Sequence, residues 1–423
     1  MRRRVLVTTT AYPPSMGGVQ RYVVDLRSNL PTFDTDVVTL WRRYRTDWLL
    51  GTTVRLSDRG TGEVEPGVRT LGWPASTRLR MAPWALGYYG LVPLAARRIA
   101  RLMVPYLERV VGPEHAVIHN HRIGREFLAQ ASLDVARRRG VPFVLSPHHH
   151  ARWRGPRYAG WTRVYRDADA VLALTRPEKE ELVRLGVTPE RVHVVGSAVE
   201  PALPSDAQRF RARIGATNPI VLFLGQRYRY KGVAELVAAA EALNAGGPRL
   251  DLVFIGPDTP FSRDFFRRRG RLRWLHVLGT ADEQTKWDAI DACAVLCLPS
   301  SQESFGRVYL EGWSKGRPVI GCRIPAVSEV VDDGRTGLLV RPGSAEDLSR
   351  SLARLLDDPE LAGRLGESGR TELEARFTWR AVAERVESVY ELLLDRPAAG
   401  LHTRPAQATA SRAQNSRLRS FLK

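Results

Sequence analysis

The feature that most constrains this chain is a pattern stated twice. Residues 4–9 form a β-prone run, and the turn-rich loop Ala11-Tyr12-Pro13-Pro14-Ser15-Met16-Gly17-Gly18 follows. Val19, Tyr22, Val23, Leu26 and Leu30 then recur at helical spacing. The same order of strand, glycine-bounded loop and helix restarts at residues 220–224, 225–232 and 233–243. Between the halves lies Pro201-Ala202-Leu203-Pro204-Ser205, a linker composition. The repeat predicts an α/β chain of two doubly wound, Rossmann-like domains facing each other across a cleft. Its 423 residues exceed one ordinary core and suit two domains of roughly 200 residues each. The expected bounds are 1–205 and 206–377.

Further strands are expected in the first half at 36–40, 116–119, 142–146, 169–174 and 192–195. In the second half they are expected at 250–255, 274–278 (closed by Gly279), 294–298, 319–321 and 337–340. Residues 41–70 read as irregular and hairpin-like. From Ala345 the chain reads as helices at 346–356, 359–377 and 380–394, and 396–423 as a disordered basic tail.

The densest chemistry lies in Glu303-Ser304-Phe305-Gly306-Arg307-Val308-Tyr309-Leu310-Glu311, between a buried strand and a second apolar run. The order is strand, polar loop, helix. Free N–H groups at a helix start attract anions such as phosphate. Carboxylates repel phosphate, so Glu303 and Glu311 suit hydroxyl groups on either side of it. Phosphates flanked by hydroxyls describe a nucleotide sugar.

Charge narrows the partners. The net charge of +19 is uneven: residues 1–205 hold 31 Lys and Arg against 18 Asp and Glu, residues 206–395 are neutral, and the tail has six basic groups and no acid. Basic surfaces seek anionic membranes, anionic substrates or nucleic acid. Part of the excess is an Arg habit, since five of the 64 basic residues are Lys. Residues 81–96 carry no charge, contain Pro83 and Pro93, and are flanked by Arg78, Arg80, Arg97, Arg98 and Arg101. A spanning helix needs ~20 apolar residues, so this run is either a core helix or one lying on a membrane surface. Three cysteines without pairing or metal spacing point to a reducing, cytoplasmic setting, and the apolar run after Met1-Arg2-Arg3-Arg4 is too short for a secretion signal. His119, His121, His148, His149 and His150 fall at strand ends without a metal-ligand spacing. The strings Asp34-Thr35-Asp36 and Asp167-Ala168-Asp169 open or precede strands, which makes them poor metal sites.

On these residues the chain resembles the retaining GT-B glycosyltransferases of the GT4 type, a group of nucleotide-sugar-dependent hexosyltransferases. Glu303 and Glu311 match the family's E-x7-E, with Phe305-Gly306 in place, and 316–340 match its G-x-P-V-I…E-V-V-x-x-G-x-T-G-L-L-V pattern. Phe377-Thr378-Trp379 matches F-x-W, and the N-terminal P-P-x-x-G-G loop matches too. The resemblance implies a GT-B fold with 378–395 crossing back onto the first domain, retention of anomeric configuration, and a GDP- or UDP-linked donor with no metal required. It implies that Glu303 and His148 meet the donor sugar, Glu311 the ribose, and Lys231 the diphosphate. Gly17 and Gly18 approach that diphosphate from the other domain, and the backbone of Phe305, Gly306, Arg307 and Val308, with Gly279, joins the donor site. Where the family has Arg after the loop glycine, this chain has Gln226; Arg227, or else Arg229, is expected to supply that charge. The expected acceptor is a glycan or lipid-linked molecule of the cell envelope, and the basic first half suits peripheral contact with an anionic membrane. A nucleotide-sugar epimerase or hydrolase of the same fold is the alternative. A nucleic-acid binder is the alternative of another class, resting on Trp153, Tyr158 and Trp161 among Arg152, Arg154, Arg157 and Arg163.

Overall fold

The structure is a computed structural model. It describes residues 2–15, 17–41, 62–88, 91–121, 126–150, 153, 155, 158–270 and 272–396. The middle of the hairpin-like reading (42–61), Arg152, Arg154, Arg157 and the tail from 397 lie outside the described residues.

The first half folds strands β1 (Arg3–Ala11), β2 (Phe33–Trp41), β3 (Gly62–Glu65), β4 (Val68–Thr70), β5 (His115–His121), β6 (Phe143–Ser146), β7 (Ala170–Ala173) and β8 (Val192–Val194). They form one sheet in the order β3-β4-β2-β1-β5-β6-β7-β8, with only β3 antiparallel to its neighbour. The second half folds β9 (Ile220–Leu224), β10 (Asp251–Ile255), β11 (Leu275–Val277), β12 (Cys293–Leu298), β13 (Val319–Cys322) and β14 (Leu338–Val340). These make an all-parallel sheet in the order β11-β10-β9-β12-β13-β14. Central strands such as β9 are buried along their whole length, as a parallel sheet covered on both faces requires.

Helices α1 (Gly18–Asn29), α2 (Ala75–Gly87), α3 (Val92–Glu108), α4 (Glu126–Arg139), α5 (Ala159–Asp167) and α6 (Arg176–Arg184) belong to the first half. Helices α7 (Ala207–Ile214), α8 (Val233–Leu243), α9 (Pro260–Arg269), α10 (Glu283–Ala292), α11 (Arg307–Trp313) and α12 (Pro325–Val330) belong to the second. Then α13 (Ala345–Asp357), α14 (Pro359–Arg376) and α15 (Trp379–Leu394) close the chain. Three interactions lay α15 on the first half. The Glu387 carboxylate accepts from the Thr32 N–H and hydroxyl (both 2.8 Å) and the Phe33 N–H (3.0 Å). The Tyr390 hydroxyl meets His119 Nδ1 at 2.6 Å. Arg385 Nε donates to the Val195 carbonyl at 2.9 Å.

The uncharged run at 81–96 is two helices rather than one. Pro93 falls in the first turn of α3, where its missing N–H leaves no intrahelical bond unmade, so the chain starts a new helix there. The inner faces are buried through Met81 and Ala85 of α2 and through Ala95, Ala96, Ile99 and Met103 of α3. The outer faces are not, so the expectation of a core helix holds for one side of each helix. No helix among the described residues is long and apolar enough to cross a membrane.

Candidate active site

Among their parallel strands, both sheets reverse strand order once. In the first the reversal lies between β1 and β5, in the second between β9 and β12. Open parallel sheets take ligands at the C-terminal strand ends beside such a switch. The loops there hold Gly17 and Gly18 after β1, Lys231 after β9, and Glu303 after β12.

Lys231 ends a single 3-10 turn, Arg229–Lys231, and Gly232 follows at φ 76°. A Cβ on Gly232 would fall 2.3 Å from the Pro299 carbonyl oxygen. Glycine therefore lets the loops after β9 and β12 touch, and the Tyr230 carbonyl accepts from the Ser301 N–H (2.9 Å) and hydroxyl (3.1 Å). That contact brings the Lys231 ammonium onto the Glu303 carboxylate as a largely buried ion pair.

Gly306 stands before α11 at φ 89°, in the left-handed region, and a Cβ there would fall 2.4 Å from the Tyr309 ring. Tyr309 is buried and donates to the Leu298 carbonyl at 2.8 Å, which fixes α11 to the end of β12. The Phe305 ring packs edge-on to Phe377 at 5.7 Å, and Val308 is buried, so what these two can offer the cleft is backbone. Inside α11, Glu311 accepts from Lys286 Nζ at 3.0 Å, and Lys286 also reaches Glu283 at 2.8 Å. Burial pulls the Lys286 ammonium toward release of its proton, but Glu311 and Glu283 outweigh it and hold its pKa above the ordinary value. Each carboxylate of the pair thus has its own lysine. Lys286 escaped the sequence reading because Glu283 and Lys286 look like a surface i,i+3 pair.

From the first half, Gly18 faces the second directly. Its carbonyl accepts from Arg307 at 3.4 Å, and a Cβ added to it would meet open space. Gly17 is extended at φ 166°, and a Cβ there would press on the Gln20 side chain. The Arg307 guanidinium reaches across to Asp25 of α1 at 2.5 Å and lies over the Trp379 ring at 5.6 Å. Its side chain therefore ties the two halves together. Gly279 is exposed at the end of β11, and its carbonyl accepts from the Gly256 N–H at 3.0 Å.

Arg227 is placed otherwise than expected. Its side chain is 1% exposed, with Nη2 on Asp258 at 2.5 Å and Nη1 on the Leu278 carbonyl at 2.5 Å. It braces the loops after β9 and β10 from beneath and presents no charge to the cleft. Arg229, two residues on, is exposed.

His148 has φ 46°, the one non-glycine residue of positive φ among the described residues. Its Nε2 lies 3.3 Å from His121 Nδ1, and Tyr22 meets its ring edge-on at 5.4 Å. Behind it the His121 and His119 rings stand 4.1 Å apart, and His119 Nε2 meets the Ser146 hydroxyl at 2.8 Å. Burial, and then the neighbouring His148, lowers the His119 pKa to about 3; burial likewise holds His121 well below its usual value. Neutral imidazoles thus carry His148 on a stack that ends at Tyr390. The sequence singled out these histidines as strand-end residues but gave no sign that two of them support the third.

Among the described residues no three His, Cys, Asp or Glu side chains are grouped as metal ligands. The two D-x-D strings are held by arginines, Asp36 by Arg4 (2.7 Å) and Asp169 by Arg137 (2.7 Å).

Comparison with known proteins matches residues 204–372 to the family described as glycosyl transferases group 1. Residues 17–198 match a glycosyl transferase 4-like domain. The chain is 30% identical to the D-inositol 3-phosphate glycosyltransferase of Stackebrandtia nassauensis over 69% of its own length and 71% of that protein's. It is 26% identical to the glycogen synthase of Mycobacterium tuberculosis over 92% and 94%. Its fold matches the crystal structure of Anabaena Alr3699/HepE in complex with UDP and glucose, with a TM-score of 0.71 at 16% identity, covering 92% of this chain and all of that one.

Proposed function

The chain belongs to the GT4-type glycosyltransferases of the GT-B fold, and on that premise we propose that it is a retaining hexosyltransferase. In this reading it moves a mannose- or glucose-type sugar from a GDP- or UDP-linked donor to a glycolipid, lipid-linked oligosaccharide or polysaccharide of the cell envelope. The observation that carries it is the pair of lysine-held carboxylates, Glu303 with Lys231 and Glu311 with Lys286, on either side of the left-handed Gly306 turn.

Glu303 takes the sugar hydroxyls and Glu311 the ribose. Lys231 and the exposed Arg229 take the diphosphate, helped by the backbone at Phe305 to Val308 and by Gly17 and Gly18 from the facing domain. Gly279 lines the donor side. When the bond from the anomeric carbon to the diphosphate breaks, negative charge grows on the leaving group. Prepositioned cations and N–H groups stabilise that charge most where water is excluded. His148 meets the donor sugar on the N-domain side, supported by its neutral stack. No metal is needed in this scheme, so EDTA is expected to leave turnover unchanged; loss of turnover restored by added magnesium would contradict that part of it.

The acceptor falls to the basic first domain, whose net charge of +13 over residues 1–205 suits an anionic or lipid-linked molecule at a membrane face. The test is a panel of UDP- and GDP-hexoses assayed for released UDP or GDP, with and without membrane lipid extract. Release that rises with extract, together with a sugar-labelled lipid, is expected. Free sugar formed at the same rate without any acceptor would assign the chain to hydrolysis instead.

A further inference from the structure

The outer face of α2 and α3 combines two features that seldom coincide on a surface. Leu79 and Leu86 of α2 are 75% and 61% exposed, and Leu91 and Leu94 at the start of α3 are 61% and 44% exposed. Single exposed leucines are ordinary, but a contiguous group marks an interaction site. Leu79 and Leu86 are seven residues apart, so they stand on one side of α2, opposite the buried Thr77, Met81 and Ala85. The exposed side of α3 carries Leu94, Arg97, Arg98 and Arg101. The Arg98 guanidinium lies 5.4 Å from the Trp84 ring, so the outer sides of the two helices adjoin. The second feature is charge. From Ala75 to Leu107, the span of the two helices before Glu108, the chain has five arginines and no Asp or Glu.

We infer that this face docks on an anionic lipid bilayer. Leucines set among arginines, with no acid on either helix before Glu108, are the chemistry of a helix that lies in the headgroup layer, where leucines enter the acyl boundary and arginines meet lipid phosphates. The stems of Arg97, Arg98 and Arg101 add apolar cover while their heads reach the phosphates. A second copy of this chain fits less well, because the same arginines would face one another across the contact. The placement also suits the cleft. To feed β5 at His115, α3 must descend from the C-terminal ends of the strands; its seventeen residues cover ~25 Å at ~1.5 Å each. Leu91 and Leu94 therefore lie at the end of the first domain where β1 and β5 open toward the second. The inference does not depend on which sugar is transferred, or on whether any is.

Flotation of the full chain with phosphatidylcholine vesicles, with and without phosphatidylglycerol, tests it. Binding is expected with phosphatidylglycerol and not without it, and it should weaken as salt rises. Leu86→Ser with Leu91→Ser is expected to weaken it by about tenfold or more, and Arg97→Gln with Arg98→Gln to weaken it as well, both at unchanged melting temperature. All four leucines and these arginines are solvent-facing, so the variants keep the fold. The basic tail is intact in every variant; leucine variants that bind like wild type would place the attraction elsewhere and overturn the inference. Equal binding to neutral vesicles would overturn it. So would a dimer in solution that the same leucine substitutions abolish, without vesicle binding.

Discussion

Arg227 and Arg229 stand two residues apart and do different work. Arg227 is enclosed and bonded to Asp258 and a backbone carbonyl, so Arg227→Ala is expected to cost stability, on the order of 2 kcal/mol in urea unfolding. Arg229→Ala is expected to leave unfolding unchanged and to slow donor turnover. The reverse pattern would return Arg227 to the diphosphate. Sequence cannot separate the two, because both lie in one loop and only the packing of that loop against Asp258 decides which side chain turns inward. The carboxylates were legible because the spacing from Glu303 to Glu311 is rigid and local. Lys286 was not, because it comes from a different helix. The histidine stack carries its own test. The pKa of His119 is about 3 in the fold and near 6.5 when unfolded. Between those values the unfolded chain binds the extra proton. The stability from keeping His119 neutral is full above about pH 6.5 and is lost as pH falls toward 3, at about 1.4 kcal/mol per pH unit. Urea midpoints from pH 7 down to 5 should fall accordingly; midpoints that stay level would mean the imidazole is not held neutral.

At the scale of elements, the turn into α11 decides how the site is held. Gly306→Ala must keep a left-handed residue and push on the Tyr309 ring, and is expected to cost about 1–3 kcal/mol together with turnover. Gly18→Ala meets open space in α1, so its expected effect is a raised KM for the donor with little change in stability. Equal destabilisation by both would contradict this account of the two glycines. The repeated strand, glycine loop and helix made both sheets readable, since buried parallel strands are short apolar runs with glycines at their ends. The run at 81–96 was harder. Hydrophobicity alone gives the same signal for a buried face and for an exposed apolar one, and only the position of Pro93 at the start of α3 hinted at two helices.

At the scale of the whole molecule, the two halves are joined by α15 lying back on the first domain and by the reach of Arg307 to Asp25 and the Gly18 carbonyl. The crossing of α15 was expected from the family resemblance; the reach of Arg307 was not, since Arg307 and Asp25 stand 282 positions apart. Arg307→Ala is expected to let the halves separate, seen as a larger radius of gyration in X-ray scattering; an unchanged radius would show that α15 alone holds them. The cleft between them is where the central claim rests, that Lys231 and Glu311 hold the leaving nucleotide and its ribose. Donor turnover by Lys231→Ala and Glu311→Ala, with the best nucleotide sugar of the panel, tests it most directly. The expected result is a loss of at least about 10²-fold in each, with circular dichroism spectra of a folded chain, although Tm falls because each change leaves a largely buried charge without its partner. Turnover at the wild-type rate in both variants would contradict the site, however well the fold is described.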